Sequence, residues 1–327
     1  MFKTLLTVSA AALLAQAVHA ADNSALRSQA NMFFKPLPAT MPGSENDSAA
    51  KIALGEKLYF ETALSVNGTQ SCNSCHRLDE KLGGVDNKKF SDGAIKGKIG
   101  GRNSPTTWNA GLHFVQFWDG RAATLADQAK GPILNPVEMA MPSEKSAVDA
   151  LKKAGYSAEF DKAFGQKNAL TYDNLAQAIA AFERTLISKD RFDEFLKGAD
   201  NLNTQELAGL KAFMDNSCTM CHNGSTLGGQ MYQKAGLVKA YPNQKDQGRF
   251  DVTGNAADKM MFKVPSLRNI SKTAPYFHDG LATDLADAVK IMGEYQLGRK
   301  VDDKTAADIV AFLKTLDNQR EFKRTTK

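Results

Sequence analysis

This chain has little cysteine, little tryptophan and no long apolar run past its N-terminus, and each shortage excludes something. Its four cysteines are few for a disulfide-stapled scaffold and stand as two close pairs rather than spread along the chain. Beyond the first twenty residues no segment approaches the roughly 18 consecutive apolar residues of a membrane-spanning helix. Stable membrane insertion is therefore not expected. The net charge is +5, and the lysines are scattered with no basic and aromatic stripe, which excludes a nucleic-acid footprint. No aspartate-rich calcium loop is present. No segment alternates convincingly as a strand, so a mostly α fold is expected.

What is present is concentrated in two pentapeptides. Cys72-Asn73-Ser74-Cys75-His76 and Cys218-Thr219-Met220-Cys221-His222 are both C-x-x-C-H, the attachment signature of c-type haem, and they use every cysteine. The spacing has a chemical reason. Two thiols one helical turn apart can form thioethers with the vinyl groups of one haem, and the adjoining histidine coordinates iron. Disulfides and zinc are the competing readings. A Cys pair three apart, found twice with His directly after it, is a poor disulfide framework, and zinc would normally draw two such pairs closer together. Two covalent haem c groups are expected, and with them redox chemistry or electron transfer.

The N-terminus reads as an export signal over residues 1–20. Lys3 supplies the charge, Leu5 to Val18 the apolar stretch, and Val18-His19-Ala20 the small residues before a cut. A periplasmic protein is expected. Apolar spacing predicts helices over Ala49–Phe60, from Ala122, over Ser143–Ala163 with a break at Gly155, over Tyr172–Phe195, Asn203–Met214, Leu285–Met292 and Thr305–Leu316. Asn203 with Glu206 three residues on reads as a capping box. The glycine-rich stretches 83–102 and 224–257 read as loops. The fold expected is two cytochrome c-like haem domains with long loops, the first over 21–185 and the second over 186–319. The tail 320–327 is expected to pack back on the first. Trp118-Asp119-Gly120 before Leu125-Ala126-Asp127 is echoed by His278-Asp279-Gly280 before Leu285-Ala286-Asp287, which hints at duplicated modules.

Several segments are more specific. Arg102-Asn103-Ser104-Pro105-Thr106, Gln116-Phe117-Trp118-Asp119-Gly120-Arg121, Gly131-Pro132, Val137-Glu138-Met139 and Pro275-Tyr276-Phe277-His278-Asp279-Gly280 closely resemble the bacterial dihaem cytochrome c peroxidases. That superfamily also includes the dihaem enzyme that matures tryptophan tryptophylquinone. The resemblance runs over essentially the whole mature chain. It implies reduction of H2O2 to water, with electrons from a small periplasmic cytochrome c or a copper protein, and a homodimer.

The resemblance also implies roles. Met292 is matched to the second axial ligand of the C-terminal haem, with His222; a thioether there favours ferrous iron. The haem of His76 is the peroxidatic one. Glu138 matches the carboxylate that moves protons during peroxide cleavage, Gln128 a distal amide that positions peroxide, and Trp118 an indole between the haems. Asn103, Thr273 and Pro275 match positions that bind one Ca2+ through amide and backbone oxygens.

In one respect the sequence departs from the pattern. Many family members carry, after the first motif, a histidine that caps the peroxidatic iron at rest. Here Ser91 to Lys98 contains none. Lys96 and Lys98 read as solvated amines, and His113, the only other histidine close by, lies beyond the matching loop. An open iron site is expected. Two rivals remain: a dihaem oxidase acting on a protein substrate, and an electron carrier with no catalysis. Met292, where the quinone-maturing relative has tyrosine, argues against the first. Glu138 and Gln128 argue against the second.

Overall fold

A computed structural model of the chain describes residues 23–78 and 83–326. The export-signal reading of residues 1–20 lies outside them. The described fold is mostly α-helical, built around two hydrophobic cores with long connecting loops.

The chain begins with α1 (23–33), whose Ala30, with Phe34 just after it, is fully buried in the second core, among Phe192, Phe195 and Phe213. It then crosses to the first core. There α2 (Ala49–Tyr59) starts at Ser48, whose hydroxyl accepts from the Lys51 amide. The first haem motif forms the single turn α3 (Cys72–Cys75). Next come α4 (Leu125–Leu134), α5 (Glu144–Lys153), α6 (Ser157–Phe164) and α7 (Tyr172–Glu183). The break expected at Gly155 is there, with φ +91°. α2 lies on α7 at Gly55: a Cβ at that position would stand 1.8 Å from the Ala178 carbonyl oxygen, so only glycine allows this approach.

The helix expected over Tyr172–Phe195 is two helices. α7 ends at Glu183, and α8 (Arg191–Leu196) begins afresh from Asp190. The intervening backbone finds other partners. The Asn109 amide donates to Leu186 O (2.8 Å), and Asn109 Oδ1 accepts from the Ser188 amide (2.9 Å). Asp190 caps α8 and also meets the fully buried Arg268, which binds Asp193 and the Ser225 carbonyl as well. Long-range bonds outcompete helical ones here, and periodicity carries no sign of them.

α9 (Thr204–Asp215) shows the capping box of Asn203 and Glu206 and leads to the second haem motif. The loop that follows holds β1 (Tyr232–Lys234), the turn α10 (Phe250–Thr253) and β2 (Met261–Lys263). The two strands pair antiparallel with Tyr232 opposite Lys263. No strand was expected, and three-residue strands are too short to show a period. α11 (Leu285–Leu297) and α12 (Asp303–Lys314) complete the second core. α9 meets α12 at Gly209, where a Cβ would stand 1.8 Å from Asp308 O. The tail then returns to α2 and α7. Phe322 stacks on Phe60 with centroids 5.8 Å apart, and the Thr325 amide donates to Glu56 (2.7 Å).

The echoed segments repeat in conformation at one constant offset. Phe117 and Phe277 have φ +66° and +71°, Gly120 and Gly280 +67° and +61°, and Asn109 and Asn269 +63° and +64°. Gln116 bridges to Ala122 as Tyr276 does to Ala282, and each segment opens a helix, at Leu125 and at Leu285.

Candidate active site

A cavity of about 450 Å3 opens where the first haem motif faces α4 and α7. Cys72, Cys75 and His76 line one part of it; Gln128 and Glu138 also line it, as does Trp118. Three stretches of chain distant in sequence therefore meet at one void.

The residues suit a covalent haem. Both cysteine pairs are free thiols, not disulfides. Burial raises the Cys72 thiol well above its ordinary value and takes Cys75 and Cys218 up to about 11, so without a bound group these thiols are neutral. Each motif histidine is fixed in one tautomer. His76 Nδ1 lies 2.9 Å from Pro105 O, and His222 Nδ1 lies 3.0 Å from Leu227 O. A carbonyl can only accept, so the proton sits on Nδ1 and Nε2 carries the lone pair for iron. Desolvation lowers both imidazoles' pKa, which keeps them neutral and ligand-competent. Among the described residues no group of three or more His, Cys, Asp or Glu side chains is placed to hold a metal ion.

Glu138 follows α4 in a tight turn. Its Oε1 accepts from Asn135 Nδ2 at 2.8 Å. Burial raises its pKa, while Arg121 and the Asn135 bond pull it partly back. The loop without histidine is tied to this turn, the Ala94 amide donating to Glu138 O (2.7 Å). Gly93 sits against Val137, where a Cβ would stand 2.4 Å from the carbonyl oxygen. Lys96 and Lys98 are exposed on the far part of that loop and do not line the cavity. His113 does line it.

Trp118 lines both this cavity and a smaller one of about 80 Å3. Its indole N–H donates to Asn103 O (2.9 Å), and its ring stands 6.3 Å from that of His278. The smaller cavity is also lined by Asn103, Thr273 and Pro275. Asn103 spends its amide N–H on Lys88 O (2.9 Å), leaving Oδ1 as an available oxygen. Met292 lies on α11, half-buried, beside residues that share the second core with Cys218. At the constant offset of the repeat, the counterpart of Met292 is Pro132, which lines the large cavity and offers iron no donor.

Two cavity residues escape the sequence reading. Glu183 is buried in α7, one turn from Ile179 on the same cavity-lining face, and burial pushes its carboxyl up to about 8. The Arg184 next to it is turned to Asp47 instead. Lys263, at the end of β2, lines both cavities. The i, i+4 spacing from Ile179 was the one available signal for Glu183; Lys263 had none.

The family described as di-haem cytochrome c peroxidase matches residues 49–201. The chain is 45% identical to the cytochrome c551 peroxidase of Nitrosomonas europaea, over 99% of this chain and 95% of that one. It is 44% identical to the cytochrome c551 peroxidase of Pseudomonas aeruginosa, over 94% and 91% respectively. A crystal structure of a MauG-like protein associated with microbial copper homeostasis superposes with a TM-score of 0.78 at 29% identity, covering 87% of this chain and 94% of that one.

Proposed function

The chain belongs to the bacterial dihaem cytochrome c peroxidase family, and from that premise we propose that it reduces hydrogen peroxide in the periplasm, H2O2 + 2e− + 2H+ → 2H2O. The electrons come from a small periplasmic redox protein, a cytochrome c or a copper protein. The observation that carries the reading is one cavity lined by Cys72, Cys75 and His76 and also by Glu138 and Gln128.

The architecture fits two haem units, 21–185 and 186–319, with the ends of the chain exchanged: α1 lies on the second core and the tail against α2 and α7 of the first unit. Bound haem supplies an iron that takes peroxide and exchanges single electrons. The chain's own residues do the rest. Neutral His76 would hold the first iron through Nε2, and His222 with Met292 would hold the second. Glu138 would take a proton from one peroxide oxygen and return it to the other, which would leave as water. Its hydrogen bond from Asn135 aims the carboxylate. Gln128 orients the substrate through its amide. Trp118, bordering both cavities, carries electrons between the two centres.

The chain would leave the first iron without a sixth ligand at rest. What supports this is Pro132 at the place equivalent to Met292, together with solvated Lys96 and Lys98 in a loop that has no histidine. One Ca2+ is proposed beside the small cavity, held by Asn103 Oδ1 and the carbonyls of Thr273 and Pro275, with water completing its shell. The active species is proposed to be a homodimer. Among the described residues no helix is long and apolar enough to cross a membrane.

The test is Glu138→Gln, which is isosteric and keeps an acceptor for Asn135. Peroxide turnover should fall by about 10²–10⁴-fold while both haems and the absorption spectrum are retained. Turnover equal to that of the unaltered protein would remove Glu138 from the chemistry.

A further inference from the structure

We propose that Lys263 and His113 form a carboxylate seat in the wall shared by the two cavities, and that its occupant is a propionate of the haem held by His76. This rests on the haem reading above.

Lys263 is 6% exposed and cannot swing away. Its backbone is pinned on both sides, pairing with Tyr232 across the small sheet and donating from its amide to Trp118 O (2.7 Å). The ammonium group has two close partners, both neutral. It donates to Val115 O (3.1 Å) and lies 3.3 Å from His113 Nδ1. Among the described residues no carboxylate stands within ion-pairing distance of it. Asp119 acts on it through space, but that carboxylate is bonded to Arg102 and Arg121. A buried cation left with neutral partners is costly. Here burial drags the amine down to about 8.

His113 adds a second unmet donor. An ammonium can only donate, so His113 Nδ1 must accept, and the ring proton sits on Nε2. That nitrogen is buried and has no partner. The ring is held against Gly229, where a Cβ would come within 2.3 Å of Cδ2. One remaining ammonium N–H and one imidazole N–H therefore stand in the wall of both cavities without an acceptor. A carboxylate offers two acceptor oxygens and the missing charge.

That carboxylate could be a haem propionate or a small anion from solution. The propionate is favoured because the thioethers at Cys72 and Cys75 tether it to the same cavity, giving it a high effective concentration. Lys263 and His113 are then positioning residues. They orient the haem and place a positive charge beside Trp118, on the path between the two irons.

The holoprotein is compared with Lys263→Gln and Lys263→Arg. Haem per chain is counted first, as the pyridine haemochrome. A chain without covalent haem would overturn the function proposed above, not merely the seat. With two haems present, redox titration should show the His76 haem at a lower potential in K263Q, because the paired charge is gone and the ferric state is relatively stabilised. K263R should restore it, and the His222 haem should move less. Resonance Raman should show the propionate bending mode of the unaltered protein shifted in K263Q and, less strongly, in His113→Gln. The histidine variant keeps the test open if K263Q fails to fold. Unchanged potential and propionate mode in these variants would overturn the seat. A potential in the unaltered protein that tracks added formate at constant ionic strength would overturn the propionate as its occupant.

Discussion

At the scale of single residues, the large cavity holds two carboxyl groups in different environments. Glu138 is half-buried beside Arg121 and Asn135, so its pKa is raised but restrained. It must be ionised to take the first proton. Activity should therefore be lost as pH falls through a value above the ordinary glutamate range. In Glu138→Gln that acid limb should vanish from the pH profile of kcat/KM. At Glu183 burial outweighs the nearby charge of Arg184 and pushes the carboxyl up to about 8. Its folded pKa exceeds the unfolded one, so the folded protein binds the extra proton between about pH 4.3 and 8. Stability is then full below that window and falls as pH rises through it. Glu183→Gln should melt higher than the unaltered protein at pH 8 and equally near pH 4, as thermal unfolding of the holoprotein would show. The two carboxyls were not equally legible in the sequence. Glu138 sits in a short segment that the resemblance picks out. Glu183 reads as the polar edge of an amphipathic helix, and only the packing of α2 and the haem motif against α7 makes it internal.

At the scale of elements, each haem motif follows a helix that crosses a partner helix at a glycine. Gly55 admits α7 to the face of α2, and Gly209 admits α12 to the face of α9. Replacing either by valine forces the helices apart through backbone atoms that cannot yield. A loss of about 2–4 kcal/mol is expected in denaturant unfolding of the holoprotein. Exposed Gly97 and Gly165, with no neighbour within 4 Å, differ because only their backbone conformation is at stake. The helices themselves were largely readable. α2, α5, α6, α9 and α12 fall within a few residues of their apolar patterns, and the Asn203–Glu206 capping box forms as spaced. The break between α7 and α8 was not readable, since Asn109 and Arg268 reach it from distant sequence. The small sheet had the same obstacle, because its strands pair across the loop that separates them.

At the scale of the whole molecule, two similar segments carry different residues at equivalent places, Pro132 and Met292, and the proposed function gives them opposite tasks. On the proposed reading, Met292 would give one iron a soft sixth ligand and Pro132, at the equivalent place, would offer the other none. Met292→His should lower the potential of the His222 haem by roughly 0.2 V and slow electron delivery, read by potentiometry and stopped-flow reduction. Pro132→Met should convert part of the oxidised His76 haem to a low-spin form and reduce its reactivity with peroxide. The duplication was faintly visible as an echo around Asp119 and Asp279. Its exactness in backbone conformation, from Asn109 to Leu125 and from Asn269 to Leu285, was not, because positive φ at Phe117 and Phe277 leaves no mark on residue type. α1 lies on the second core and the tail against α2 and α7, while Trp118 lines both the large and the small cavity. The central claim is that the His76 iron is open in the fully oxidised protein. The decisive measurement is electron paramagnetic resonance of that protein before and after stoichiometric H2O2, without prior reduction. A high-spin signal that disappears rapidly on addition is the predicted result. An entirely low-spin spectrum unchanged by peroxide would contradict it.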